Sequence, residues 1–282
     1  MDINTIAEFR RPGSREEAVL RPGETYLAGG TWLYSEPQPG VTGFVDVTAL
    51  GWPSLTIEAG GLRIAATCTI AELVALPPQP GWTAQRLFFH CATALLASHK
   101  VWNAATVGGN VCRSFSAGAM VSLAATLDGT AEIWAADGTT SVAPVAELMT
   151  GNGTNRLARG DLLRSILLPE YALRARTAYR KIALAELGRS GAVVTARVDD
   201  DGAATFVVTA ATAVPTVRRF AEIPDAAGIA DAFADVPFGG GGWYTDPLGE
   251  ARWRRGVSLV LLEQVRAELA GGAARKAGGA GA

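Results

Sequence analysis

Two pairs of adjacent glycines, Gly29-Gly30 and Gly108-Gly109, constrain this chain more than any other feature. The first follows a short apolar run, Thr25-Tyr26-Leu27-Ala28, and opens into Thr31, while the second lies in Ala105-Thr106-Val107-Gly108-Gly109-Asn110. Glycine adopts positive φ without steric cost and leaves the backbone N–H groups beside it unobstructed. Successive N–H groups of that kind make a concave nest for an anion, and the Thr31 hydroxyl adds a donor. A Gly-Gly turn that merely joins two strands looks the same, so one such loop is weak evidence. Two loops brought together could clasp a pyrophosphate from both sides. Neither is a Walker loop, since no G-x-x-x-x-G-K-[ST] exists, and no G-x-G-x-x-G follows a strand, so the mononucleotide folds those motifs mark are disfavoured.

The chain has 282 residues, long enough for one large or two ordinary domains, and 49% of it is hydrophobic against 18% charged, which calls for a packed core. Lys and Arg number 25 against 27 for Asp and Glu, leaving no basic excess for a nucleic-acid partner. Cys68, Cys91 and Cys112 are scattered, with no C-x-x-C pair to hold zinc or a cluster, and free thiols in a reducing cytoplasm are expected. The first residues carry no apolar stretch behind positive charge, so no secretory signal is expected. The uncharged stretches stop short of the ~20 residues a membrane span needs.

A coarse reading places a short helix at 15–20, capped by Ser14 with Glu17 three residues on. Strands follow at 25–28 and 43–47, and a hairpin at 55–66 turns on Gly60-Gly61. Thr69 caps a helix at 70–76 that Pro77-Pro78 stops. Helices are expected at 84–97 and 119–127, and strands at 131–135 and 162–169, the latter closed by Pro169. Beyond a boundary near 170 come strands at 177–183, 191–198 and 203–212, the last two joined by the turn Asp199-Asp200-Asp201-Gly202. A late helix covers 252–269, and the small-residue tail 271–282 is expected to be mobile.

In this order the motifs resemble one family. Arg11-Pro12-Gly13-Ser14-Arg15-Glu16-Glu17-Ala18, Leu27-Ala28-Gly29-Gly30-Thr31, Phe44-Val45-Asp46-Val47, the run Ile64 to Leu73 and Ala105 to Asn110 follow one another as in the FAD-binding medium subunit of molybdenum hydroxylases, the group of xanthine dehydrogenase and aerobic carbon monoxide dehydrogenase. Asp161-Leu162-Leu163 to Pro169, Tyr179-Arg180-Lys181, Ala211 to Pro215 and Arg252-Trp253-Arg254-Arg255 extend the resemblance over nearly the whole chain.

The resemblance implies an α+β protein with a PCMH-type FAD domain over 1–170, made of two α+β subdomains at about 1–54 and 55–170. A C-terminal domain over 171–270, built of a three-stranded antiparallel sheet and helices, completes it. By the same resemblance Ala28, Gly29, Gly30 and Thr31 form the first pyrophosphate loop, with Trp32 and Leu33 continuing toward the flavin. Thr106, Gly108, Gly109 and Asn110 form the second, Leu163 stands near the adenine or ribose, and Lys181 contacts FAD. One departure concerns Ala119, where the family commonly has Asp. Arg113 could offset that loss by reaching a phosphate, or it could be an ordinary surface arginine. His90 and His99 lack metal-ligand spacing, and no catalytic residue or metal site is assigned.

The function implied is that of an electron-transfer flavoprotein subunit, a component of an FAD-dependent oxidoreductase. A large subunit with a molybdenum cofactor would oxidise the substrate, and a small subunit with [2Fe–2S] clusters would relay electrons to FAD, which passes them to an acceptor. Three scattered cysteines cannot ligate such clusters in this chain. A heterotrimer or a dimer of heterotrimers follows. A free-standing FAD oxidoreductase of the same fold, or a scaffold subunit without flavin, are the alternatives.

Overall fold

A computed structural model describes residues 3–186 and 188–278, with side chains to 271. Its first sheet is small and parallel, ordered β1-β3-β2, from β1 (Glu8–Arg10), β2 (Glu24–Leu27) and β3 (Gly43–Asp46). The central strand β3 is buried throughout, as its apolar Phe44 and Val45 require. Arg10 fastens β1 to β2 by gripping the buried Glu24 through Nε and Nη2 at 2.7 and 2.6 Å. That bidentate contact, aided by the Arg21 N–H, holds the Glu24 carboxyl at about 2 against the opposing pull of burial. The helix expected at 15–20 is a single turn: Glu17 N donates to Ser14 Oγ and the Glu17 carboxylate accepts from Gly13 N. Arg21-Pro22 ends it, because the residue before a proline is driven out of the helical region.

The second sheet is antiparallel and holds the largest core. It comprises β4 (Leu55–Glu58), β5 (Gly61–Ala65), β6 (Thr130–Trp134) and β7 (Thr140–Pro144). After the small hairpin β8 (Met149–Gly151) and β9 (Thr154–Asn155), the strand β10 (Leu162–Pro169) enters its middle, giving β4-β5-β10-β6-β7. Seven helices belong to this part of the chain: α1 (Ile70–Val74), α2 (Arg86–Ala94), α3 (His99–Trp102), α4 (Val107–Arg113), α5 (Ala119–Thr126), α6 (Val145–Leu148) and α7 (Glu170–Arg174). The expected Thr69 cap is a full capping box with Glu72. A small cluster of Ala18, Val47 and Leu162, with Ala28 and Trp134 against it, joins the first sheet to the second.

The last sheet runs in sequence order through β11 (Arg176–Ala183), β12 (Ser190–Val198), β13 (Ala204–Thr209) and β14 (Thr216–Phe220). It has four strands where three were expected. Pro215 interrupts the chain without ending the sheet, and the edge strand β14 carries Arg218 and Arg219, which mask its alternation. Helix α8 (Ala226–Ala232) follows, and α9 (Ala251–Gly278) packs across β11 and β12. Helical backbone thus covers 271–278 of the expected tail, and 279–282 lies outside the described residues.

Helix α5 is buried on every side and forms the seam between the second and third sheets. Its hydroxyls pair across the seam, Ser122 with Thr209 and Thr126 with Thr195, both at 2.5 Å. Arg254 of α9 is fully buried behind the third sheet. Its Nε donates to Gly249 O and Nη1 to Gly191 O, at 3.1 and 2.6 Å, Nη1 also reaches Ala210 O, and Nη2 pairs with Asp246. Ala210 sits at φ +64, a conformation costly for a non-glycine residue and held here by these bonds.

Candidate functional site

Strand β2 delivers the chain into Ala28-Gly29-Gly30-Thr31-Trp32-Leu33 at an open edge of the first sheet. Ala28 anchors the loop in the small cluster beside Leu162. Gly29 passes so close to the Ala104 carbonyl that a Cβ would lie 1.8 Å from its oxygen. Gly30 takes φ +69, and a side chain there would run into the Tyr34 ring. Both glycines are therefore required by geometry. Among the described residues no acceptor takes the backbone N–H of Gly29, Gly30, Thr31 or Trp32, nor the exposed Thr31 hydroxyl. The Trp32 and Leu33 carbonyls are engaged locally by Ser35 and Gln38.

The second glycine pair is not a loop. Thr106 caps α4, its hydroxyl accepting from Gly109 N at 3.1 Å, and Gly108 and Gly109 form the helix's first turn. Gly108 N donates to Ala66 O and Asn110 N to Thr106 O, so these N–H groups are already spent. Gly108 is needed for packing, since a Cβ would stand 2.4 Å from that of Ala66. Gly109, by contrast, is exposed, and a Cβ would meet only the Thr106 hydroxyl. Asn110 steadies the next element, its Oδ1 accepting from Met120 N at the start of α5. The structure thus brings the two segments together through Gly29 and Ala104, and among the described residues the N–H groups of Gly108, Gly109 and Asn110 are paired while those of residues 29–32 are not.

At the far end of α4, Arg113 lies over two rings. Its Cζ is 4.4 Å from the Trp32 centroid and 4.1 Å from that of Phe115, and those rings meet edge to face at 4.8 Å. Arg189 approaches the Phe115 ring at 5.6 Å. Arg113 is no solvated surface arginine: its Nε is buried without a partner, and burial pushes the guanidinium below its ordinary value, with Glu36 opposing through space. The loop that carries Phe115 is fixed at Ser116, whose N–H donates to Asn152 Oδ1, whose hydroxyl donates to Ala213 O and whose carbonyl accepts from Ala210 N. Sequence reasoning singled out Trp32 and Arg113 separately but missed Phe115, Arg189 and the contacts that join them. The signal was the spacing of Gly109 and Arg113, four apart and on one face once α4 is recognised as a helix.

The remaining expected residues lie elsewhere. Leu163 is 2% exposed in β10, its side chain inside the main core, so only its backbone could meet a ligand. Lys181, in β11, donates to Thr93 O and shares no hydrogen bond with either glycine pair. Burial lowers the affinity of its amine for a proton. Ala119 is buried at the first position of α5. Burial pushes the Cys68 and Cys112 thiols up to about 12 and raises that of Cys91 as well, and all three are free. His90 stacks on Tyr179 and His99 on Trp102. Among the described residues no group of three or more His, Cys, Asp or Glu could hold a metal ion, and no helix is long and apolar enough to cross a membrane.

The chain belongs to the family described as the FAD binding domain in molybdopterin dehydrogenase, whose model matches residues 7–171. Its α+β fold is shared along nearly its whole length with solved structures. A chain of quinoline 2-oxidoreductase from Pseudomonas putida 86 aligns at 19% identity with a TM-score of 0.78, covering 94% of this chain and 97% of that one. Carbon monoxide dehydrogenase from Hydrogenophaga pseudoflava, in a form lacking the Mo-pyranopterin moiety of its cofactor, aligns at 17% and 0.76, covering 92% and 96%. Reconstituted CO dehydrogenase from Oligotropha carboxidovorans aligns at 19% and 0.75, covering 92% and 97%. No curated protein matches the chain. The residues present fit FAD: two glycines at positions a side chain would fill, and a row of N–H groups without acceptors.

Proposed function

We propose that this chain is the FAD-binding, electron-transferring subunit of a molybdenum hydroxylase or dehydrogenase complex. Electrons would arrive from [2Fe–2S] clusters of a small partner subunit, after substrate oxidation in a large molybdenum-cofactor subunit, and leave to a terminal acceptor. The assembly is a heterotrimer or a dimer of such heterotrimers. FAD, when bound, supplies the capacity to accept electrons singly and release them in pairs.

The observation that carries this reading is the unpaired N–H row from Gly29 to Trp32, seated against the segment that leads into α4. These fixed dipoles suit a diphosphate, since they need no reorganisation when the anion arrives. Thr31 adds a hydroxyl, and the exposed Gly109 leaves room on the opposite wall. Thr106 and Asn110 act on the site indirectly, one capping α4 and the other holding the start of α5. Leu163 offers backbone and Lys181 a cation to more distant parts of the dinucleotide. Residues 1–170 would hold the cofactor, with subdomains meeting near residue 54, and 171–270 would form a second domain.

The visible spectrum of the purified chain, with chromatography of what acid releases, tests the reading. Flavin bands and released FAD are expected. Gly109→Asp should abolish FAD retention with the far-ultraviolet circular dichroism unchanged, because it sets a charge on the exposed side of the first turn of α4, where a Cβ meets the Thr106 hydroxyl and no backbone. Full flavin content in that variant would overturn the loop assignment.

A further inference from the structure

We propose that Arg113 is an anion-binding residue of the dinucleotide site, donating from its guanidinium to a negatively charged oxygen of bound FAD. The inference rests on the cofactor site proposed above and adds a residue to it.

Three observations carry it. The first is position. Helix α4 lies along the first loop, with Ala104 before its start against Gly29 and Arg113 at its end over Trp32. Gly109 and Arg113 are four residues apart, so the exposed backbone of Gly109 and the root of the Arg113 side chain share one helix face. The unpaired N–H groups of residues 29–32 belong to the loop that these two contacts hold against α4.

The second is the state of the guanidinium. Trp32 and Phe115 flank it from one side, their centroids 4.4 and 4.1 Å from Cζ and 4.8 Å from each other, so its N–H groups are approached from the side the rings leave open. No carboxylate or carbonyl meets those groups among the described residues, and Nε is sealed from water. The most deeply buried arginines are saturated, Arg197 by Asp128 and Asp199 and Arg254 by Asp246 and three carbonyls, while Arg164, stacked on Trp52 at 4.2 Å, shares with Arg113 the want of a polar partner among the described residues. A buried donor left open is costly, so a site that keeps one has a use for it.

The third is charge. A diphosphate brings about two negative charges, and the reduced flavin ring can carry another, against neutral amide dipoles in the first loop. Arg113 touches that loop directly, through Trp32, and Arg189, 5.6 Å from the Phe115 centroid, also forms no ion pair among the described residues. Planar, permanently charged guanidinium suits either oxygen.

The experiment titrates the full-length apoprotein with FAD and with riboflavin, following quenching of flavin fluorescence over a range of ionic strength. Wild type, Arg113→Gln, Arg113→Lys and Gly109→Asp are compared. Arg113→Gln is expected to weaken FAD binding roughly 10- to 100-fold, the loss of one charge-assisted bond, with Arg113→Lys between the two. Unchanged riboflavin affinity would assign the contact to the diphosphate, and an equal loss for riboflavin would assign it to the ring. FAD affinity in Arg113→Gln within twofold of wild type, with the same salt dependence, would overturn the proposal. If Gly109→Asp loses FAD in that same experiment, the cofactor site stands without Arg113. A wild-type chain that binds no FAD removes the site itself and this inference with it. Melting temperatures of the variants confirm that each is folded.

Discussion

Arg254 and Arg113 are both drawn out of water, one behind the third sheet and the other beside the first glycine pair, and the fold completes only one of them. Every nitrogen of the Arg254 guanidinium has an acceptor, from Asp246 and the carbonyls of Gly249, Gly191 and Ala210. Arg113 has two aromatic rings on one side and, among the described residues, no acceptor for its N–H groups. A saturated buried cation is part of the framework, since its removal strands the groups it satisfies. An unsaturated one adds little to the framework and remains available to something that arrives later.

Four measurements bear on that contrast. The largest effect is expected from Arg254→Met, which leaves Asp246 and three carbonyls without their donor and should cost about 3–5 kcal/mol in urea unfolding. A loss below about 1 kcal/mol would dissolve the distinction between the two arginines. Next comes the Arg10–Glu24 pair, a second saturated guanidinium. Glu24 falls from 4.5 to about 2 on folding, so its contribution is complete above pH 4.5 and disappears as the pH drops toward 2. That shift corresponds to on the order of 3 kcal/mol at neutral pH. Glu24→Gln should be less stable than wild type at pH 7 and should lack this part of the acid limb. Identical acid limbs would mean that the pair is not formed.

Phe115→Ala should have a smaller effect, costing about 0.5–1.5 kcal/mol through the lost edge-to-face contact with Trp32. A change in Trp32 fluorescence should accompany it and report that the slot has opened. Arg113→Gln should be the mildest, below about 1 kcal/mol in the apoprotein, since only stacking is lost and an orphaned Nε is relieved. A cost above 2 kcal/mol would make Arg113 a framework residue like Arg254.

The sequence exposed those parts of the fold that rest on local chemistry. The Thr69–Glu72 capping box, the hairpin on Gly60-Gly61 and the strand ending at Pro169 each follow from residues close in the chain. Gly29 and Gly30 could be singled out as a pair after a strand, although only Gly30 is demanded by its own φ of +69 and Gly29 is demanded by the Ala104 carbonyl. Gly108-Gly109 looked identical in sequence, yet its N–H groups are taken by Ala66 O and the Thr106 hydroxyl, contacts that depend on where a distant strand lies. Residues 15–20 carry helix-start chemistry that Pro22 stops after one turn. The solitude of Arg113 was beyond any reading of composition, because lacking a partner is a property of the whole surrounding structure. Phe115 and Arg189 join that cluster from segments more than seventy residues apart.

Ser116 gives the site a mechanical property. Its N–H, carbonyl and hydroxyl are all tied to other segments, two of them to the chain just beyond β13. The ring next to it, Phe115, therefore rides on a mount bolted to the third sheet, while the Trp32 ring it faces belongs to the turn after β2. The two rings that meet Arg113 thus have separate foundations, so the notch they form is set by how the turn after β2 and the third sheet are aligned.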